Sequence, residues 1–248
     1  MEGSVALVTG GSRGIGKAIS LRLAKAKARL LINFFQNRAE AEKTAGEIAS
    51  LGAEARLFQA DLKDEIQIRA MFRELDAHYG RLDVLVHNAA SGVLRSIVDL
   101  TARQWDWVIN TNVRSFLLCA REAASRMGEG GRIVALSSIG SNRVIPEYGI
   151  IGISKAALES LTRYLAVELA PRGISVNAIS AGAVPTEVWN LVPDGQEVLE
   201  RVRQRTPSGQ LLTAEEIAEL VYFLSGPQAR MIQGQVIVVD GGYSLVAL

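Results

Sequence analysis

Short runs of aliphatic and β-branched residues alternate along the chain with longer stretches whose apolar positions recur near the helical period. Val5–Thr9, Arg29–Phe34, Ala55–Gln59, Val84–His87, Arg132–Ser137, Ile174–Ile179 and Gln235–Val239 read as strands. Gly14–Lys27, Arg38–Leu51, Glu65–Tyr79, Thr101–Met127, Ser154–Ala170 and Thr213–Leu224 read as helices. Strands this short and this uniformly apolar need both faces covered, and intervening helices provide the cover. With right-handed crossovers the pattern predicts an α/β fold with a doubly wound, parallel, seven-stranded sheet. Only residues 181–212 lack a period. An irregular stretch of that length is usually functional, so one domain over 1–248 is expected, with a substrate-binding loop at about 183–212.

Composition narrows the classes. Of 248 residues 48% are hydrophobic, and 27 basic against 26 acidic side chains leave a net charge of +1. That excludes a disordered chain and a nucleic-acid binder driven by bulk charge. A single cysteine, Cys119, allows no disulfide in a monomer and fits a reducing compartment. Met1–Val8 does not read as an export signal, and no apolar run approaches the ~20 residues of a membrane span. A cytoplasmic protein without nucleic-acid or membrane partners is expected. His78 and His87 lack metal-ligand spacing, so no metal is expected.

Glycine, with 23 copies, is in slight excess, and part of that excess is placed. Gly10, Ser12, Arg13, Gly14, Ile15 and Gly16 follow the first strand and open the first helix, with the glycines in a G-x3-G-x-G pattern. Such a turn lets a pyrophosphate approach the free N–H groups and positive end of the helix. After the second strand, Asn33-Phe34-Phe35-Gln36-Asn37-Arg38 carries no acid to repel a 2′-phosphate. Arg13 and Arg38 are guanidinium candidates for it, which favours NADPH (NADP+); alternatively Arg38 is a solvated helix end. Asp61, after the third strand, can accept from an adenine amine or can lead a helix.

These motifs resemble the short-chain dehydrogenase/reductase family over essentially the whole chain. The matching residues are Thr9–Gly16, Asp61-Leu62, Asn88-Ala89-Ala90, Asn110–Val113, Ser137-Ser138, Ser154-Lys155 and Gly182–Thr186. The resemblance implies an NAD(P)-dependent oxidoreductase on a single Rossmann domain, commonly a homotetramer. It implies that Asn88, Ala89 and Ala90 line the nicotinamide ribose region, that Asn112 fixes the active-site helix, and that Lys155 holds the ribose hydroxyls. Gly182, Val184 and Thr186 would meet the nicotinamide end, and Leu62 would accompany Asp61 at the adenine.

The chain also departs from that family's usual pattern. Its catalytic tyrosine stands four positions before the lysine, where this chain has Ile151. The preceding tyrosine gives Tyr148-x6-Lys155, a spacing that resembles the enoyl-acyl-carrier-protein reductases. Together with the ordinary phosphate turn it is most similar to their third, FabL, type, an NADPH enzyme. Seven residues of helix rotate by ~700°, so Tyr148 still shares a face with Lys155, about one turn farther along than the usual tyrosine. An enoyl thioester receives hydride at C3 while charge develops on a carbonyl oxygen two carbons away, which suits a more distant donor.

The expected reaction is NADPH-dependent reduction of the C2–C3 double bond of trans-2-enoyl thioesters on acyl carrier protein or CoA. Tyr148 is the expected donor, Lys155 the supporting cation, and Ser138 either an assistant or the mere end of a strand. Ser91, Leu94, Ile151 and Trp189 are expected at the substrate, and Leu191 and Val192 beside Trp189 either cover an acyl chain or anchor the loop. Two other functions fit the same motifs: a carbonyl, 3-ketoacyl or hydroxysteroid-type reductase, and a non-catalytic NADP-binding protein.

Overall fold

The computed structural model describes residues 1–192 and 194–246; the side chains of Val188 and Leu191 also lie outside the description. Seven strands form one parallel sheet: β1 (Val5–Val8), β2 (Arg29–Phe34), β3 (Ala55–Gln59), β4 (Val84–His87), β5 (Arg132–Ser138), β6 (Ser175–Ala181) and β7 (Val236–Val239). Their order is β3-β2-β1-β4-β5-β6-β7. The order reverses between β1 and β4, which pair Ala6 with Val84 and Val8 with Val86. At such a switch point the loops leave in opposite directions and open a crevice beyond the strands' carboxyl ends.

Alternation along each strand divides the core in two. Val5 and Leu7 face a cluster with Phe72, Leu75, Phe116 and Leu158, while Ala6 and Val8 face Ile19, Leu23, Ile217 and Val221. The first layer comprises α3 (Glu65–Tyr79), α5 (Ser115–Ala124) and α6 (Gly149–Leu169); the second is formed around α1 (Gly14–Lys25) and α8 (Ala214–Leu224), with α2 (Arg38–Ser50) beside α1. Every side chain of β1 and β4 is buried, as the uniformly apolar runs require.

Three expectations are corrected. The single helix expected over 101–127 is two helices, α4 (Ala102–Ile109) and α5, joined by a π-helical turn over Asn110–Arg114. The extra residue in that turn brings Asn112 inward, and apolar periodicity is blind to it. Helix α6 begins at Gly149, not Ser154. Gly149 and Gly152 lower helix propensity, but Gly152 is needed: a Cβ there would run into the Gly140 carbonyl oxygen. The stretch 181–212 is not irregular throughout: it holds a 3-10 turn (Glu187–Leu191) and the amphipathic helix α7 (Gly195–Arg205).

Candidate active site

The crevice is built on the Gly-rich turn. Gly10 and Gly14 have φ of +60° and +51°, conformations that side chains rarely adopt. A Cβ on Gly16 would collide with the Gly10 carbonyl oxygen. Thr9, fully buried, accepts through Oγ1 from the N–H groups of Asn88 and Ala89, each at 3.0 Å. Asn88 in return donates through Nδ2 to the carbonyls of Thr9 and Gly10, also at 3.0 Å. The ends of β1 and β4 are thus stitched across the switch point. No side chain caps α1 at Arg13, and no acidic residue lies in its first turn. The free N–H groups and positive helix end face the crevice uncompensated, which fits an anionic pyrophosphate.

Other residues expected at the cofactor fall into two groups. Thr186 lies against the turn: a Cβ on Gly14 would meet its Cγ2 at 3.6 Å. Arg13 is exposed, Arg38 reaches over the Phe34 ring and pairs only loosely with Glu42 at 3.7 Å, and Ala90 is exposed. Ser12 is buried, and its carbonyl accepts from Thr44 at 2.8 Å. Asn33, by contrast, offers no free side chain. It is buried beneath the turn, accepts from Gly10 N–H at 3.3 Å and donates to the Ala60 carbonyl at 3.2 Å, so it shapes the turn from below. Leu62 belongs to the core beside α3, and Asp61 accepts from the Lys63 backbone at 3.0 Å, while Asp64 caps that helix. Gly182 sits against Asp240, where a Cβ would come within 2.9 Å of the aspartate Cβ. Val184 is buried, and its carbonyl accepts from the Trp189 indole N–H at 2.8 Å, a loop anchor.

Beyond the turn, α6 presents its chemistry to the end of β5. Tyr148 is the N-cap of α6, and its hydroxyl donates to Ser138 Oγ at 3.3 Å. Ser138 therefore both ends β5 and holds the phenol. Burial raises the Tyr148 pKa, partly offset by the Ser138 bond, so the phenol stays protonated. Lys155, only 6% exposed, donates from Nζ to the Leu136 carbonyl at 2.6 Å. Burial pushes its pKa down to about 8, with Glu159 pulling the other way. Asn112 is fully buried and clamps two elements: it accepts from Ser91 N–H at 2.8 Å and donates to Ser91 O and to Ser154 Oγ, both at 2.9 Å. Ile151 packs against Gly92 so closely that a Cβ there would run into its side chain.

A cavity of about 430 Å³ adjoins Tyr148, lined among others by Ile97, Val144, Ile145 and Ile153. Leu94 is exposed nearby in sequence, on the loop that Ser91 begins. Sequence reasoning gave no site role to His87, Ser137 or Glu159, which lie under this face; the Lys155-x3-Glu159 spacing, one helical turn, was the available signal. His87 is 1% exposed, bonds Ser115 Oγ at 2.9 Å, and is driven down to about 3 by burial and by Lys155.

A dinucleotide crevice beside a tyrosine, a serine and a lysine defines an oxidoreductase of the doubly wound class. The family model described as Enoyl-(Acyl carrier protein) reductase matches residues 10–244. A 1-cyclohexenylcarbonyl-CoA reductase of Streptomyces collinus is 42% identical over 98% of this chain and 88% of its own length. A hydroxynaphthalene reductase-like protein of Metarhizium brunneum is 35% identical over 98% of this chain and 95% of its own. A short chain dehydrogenase from Burkholderia cenocepacia, solved in complex with NADP, superposes with a TM-score of 0.91 at 37% identity, covering 98% of each chain. The chain belongs to the short-chain dehydrogenase/reductase family and is an NAD(P)-dependent reductase. No described helix is long and apolar enough to cross a membrane.

Proposed function

We propose that the protein reduces the C2–C3 double bond of trans-2-enoyl thioesters with NADPH, in the manner of the third enoyl-acyl-carrier-protein reductase type. The observation that carries this reading is Tyr148, held by Ser138 at 3.3 Å, while the position four before Lys155 is the aliphatic Ile151 packed on Gly92. The absence of an acid after β2, with Arg13 and Arg38 exposed, supports NADPH over NADH.

The cofactor, when bound, supplies a hydride at C3. The Tyr148 hydroxyl donates to the thioester carbonyl oxygen and strengthens that bond as enolate charge develops there, an oxyanion-hole role. To do so it turns its one proton away from Ser138 Oγ, and Ser138 then donates its own hydroxyl proton to the phenol oxygen and keeps its direction. A proton from solvent or through Tyr148 and Lys155 then reaches C2 and completes the saturated thioester. Lys155, as an ammonium, holds the ribose side and stabilises the negative charge nearby. Arg38 and Arg13 balance a 2′-phosphate, and the uncapped end of α1 receives the pyrophosphate. The cavity beside Tyr148, with its aliphatic walls, accommodates an acyl chain. Acyl carrier protein and CoA are both carriers compatible with this site; the Streptomyces collinus relative is named for a CoA thioester.

Chain assembly belongs to the same reading. Trp105 on α4, Leu117 on α5, and Tyr164 and Val167 on α6 are exposed, the last two 69% and 75%, and are apolar side chains that association of copies into a homotetramer would bury.

The test is consumption of NADPH with crotonyl and longer enoyl thioesters, set against 3-ketoacyl thioesters and simple ketones. Enoyl reduction is the expected result. Turnover of ketones alone favours the carbonyl-reductase reading instead, which the Metarhizium brunneum relative's name keeps in view.

A further inference from the structure

Under the Tyr148–Lys155 face lies a layer of polar side chains that core packing does not require. His87 of β4 and Ser137 of β5 project to the same side of the sheet, toward α5 and α6, as the pairing of His87 with Ala135 fixes. Ser137 Oγ donates to the Glu159 carboxylate at 2.5 Å. Glu159 follows Lys155 by one turn of α6 and shares its face. Lys155 itself finds one carbonyl, that of Leu136 at 2.6 Å. An ammonium has three donors, and a single neutral acceptor stabilises it poorly away from water.

Few other charges are present to help it. His87, from β4, is held neutral, and so is Tyr148 at the start of α6. β5 presents Ser137 and a carbonyl, and the elements leading into and forming α5 present Asn112 and Ser115; none of these groups is charged. Among the described residues Glu159, one turn along α6, is the charge that favours the Lys155 ammonium against burial.

We propose that Glu159, oriented by Ser137, is a positioning residue that keeps Lys155 an ammonium ion within the folded site. Neither residue touches the crevice chemistry directly; both act through Lys155. The inference rests on the cofactor reading above, because its consequence is read through NADPH.

The test is NADPH affinity, followed by nicotinamide fluorescence across pH, for the wild type, Glu159→Gln and Ser137→Ala. Glutamine keeps an acceptor for Ser137 and removes only the charge. Wild-type affinity is expected to fall as pH rises through about 8. In Glu159→Gln the fall should begin about one pH unit lower, a tenfold change in proton affinity, with affinity unchanged on the acid side. Ser137→Ala should move the limb the same way by less, and carries the test should Glu159→Gln fail to fold. A limb that stays in place in the folded variants overturns the proposal, as does an equal loss of affinity at every pH, which marks a merely structural role. Failure of the wild type to bind NADPH at any pH overturns the cofactor reading, and this role with it.

Discussion

Tyr148 caps the start of α6 and Lys155 stands two turns along it, and burial favours the neutral form of each. It raises the phenol's pKa, so Tyr148 keeps its proton, and lowers the ammonium's to about 8, so Lys155 is close to losing its own. A protonated phenol donates a hydrogen bond without having to surrender a proton, which suits an enolate oxygen. Replacing Tyr148 by Phe removes that donor and should lower kcat for enoyl thioesters by roughly 10²–10³-fold, with NADPH affinity unchanged by fluorescence titration. Ser138→Ala leaves the phenol but frees its direction, and a smaller loss, about tenfold, is expected in the same assay. The charge on Lys155 sets the alkaline limit: activity should fall as pH rises through about 8, and a pH–rate profile flat across that region would remove Lys155 cation chemistry from the mechanism. Tyr148 and Lys155 were singled out in the sequence by the resemblance that the Tyr148-x6-Lys155 spacing carries, with helix geometry as its rationale. The Tyr148–Ser138 bond was not, because it depends on where β5 ends relative to the first turn of α6.

Elements matter here mainly where they interrupt themselves. The π turn at Asn110–Arg114 carries Asn112 into the space between the loop after β4 and α6. Asn112→Ala would leave the Ser91 backbone groups and Ser154 without those partners in a buried place, a loss of roughly 1–3 kcal/mol in denaturant unfolding. The same loop meets α6 again at Gly92, against Ile151. Gly92→Ala should therefore destabilise the protein by about 1–3 kcal/mol, and Ile151→Ala in the same chain should recover much of it. Simple additivity of the two changes in urea unfolding would show that the contact is not what constrains this loop. Strands β2, β3 and β4 and helix α3 lie where the hydrophobic pattern put them: β2 and β4 are uniformly apolar runs buried on both faces, and the period of α3 follows from burial of one. The π turn, the early start of α6 and the helix α7 escaped because each depends on contacts made elsewhere in the fold. Residue 152 is a glycine for want of room beside Gly140, and the apolar face of α7 consists of only Val198, Leu199 and Val202 among polar residues.

Across the whole molecule, the sheet collects the ends of β1, β4 and β5 around one crevice, and His87 shows what that arrangement asks of the core. A histidine at the end of β4 is buried because the strand must run fully inside to deliver Asn88 to the Gly-rich turn. Its ring rests on Phe116, with centroids 5.1 Å apart, and its Nε2 meets Ser115. Burial and the Lys155 charge lower its folded pKa from 6.5 to about 3. In the unfolded chain the ring takes up a proton near its ordinary value, so between those limits the unfolded state binds the extra proton. Stability is therefore complete above pH 6.5 and is drained as pH falls toward about 3. The slope for one proton is at most about 1.4 kcal/mol per pH unit. Glu200 and Asp240, whose pKa values are lowered, also destabilise the fold in acid, so the wild type alone does not isolate the histidine. His87→Leu removes the titrating ring while Ser115 keeps its bond to the Thr111 carbonyl. Measured by urea unfolding through that pH range, the variant should lose stability with acid less steeply than the wild type, by close to one proton. Parallel slopes would mean that His87 is charged in the folded state after all, and that the layer beneath Lys155 carries a second positive charge.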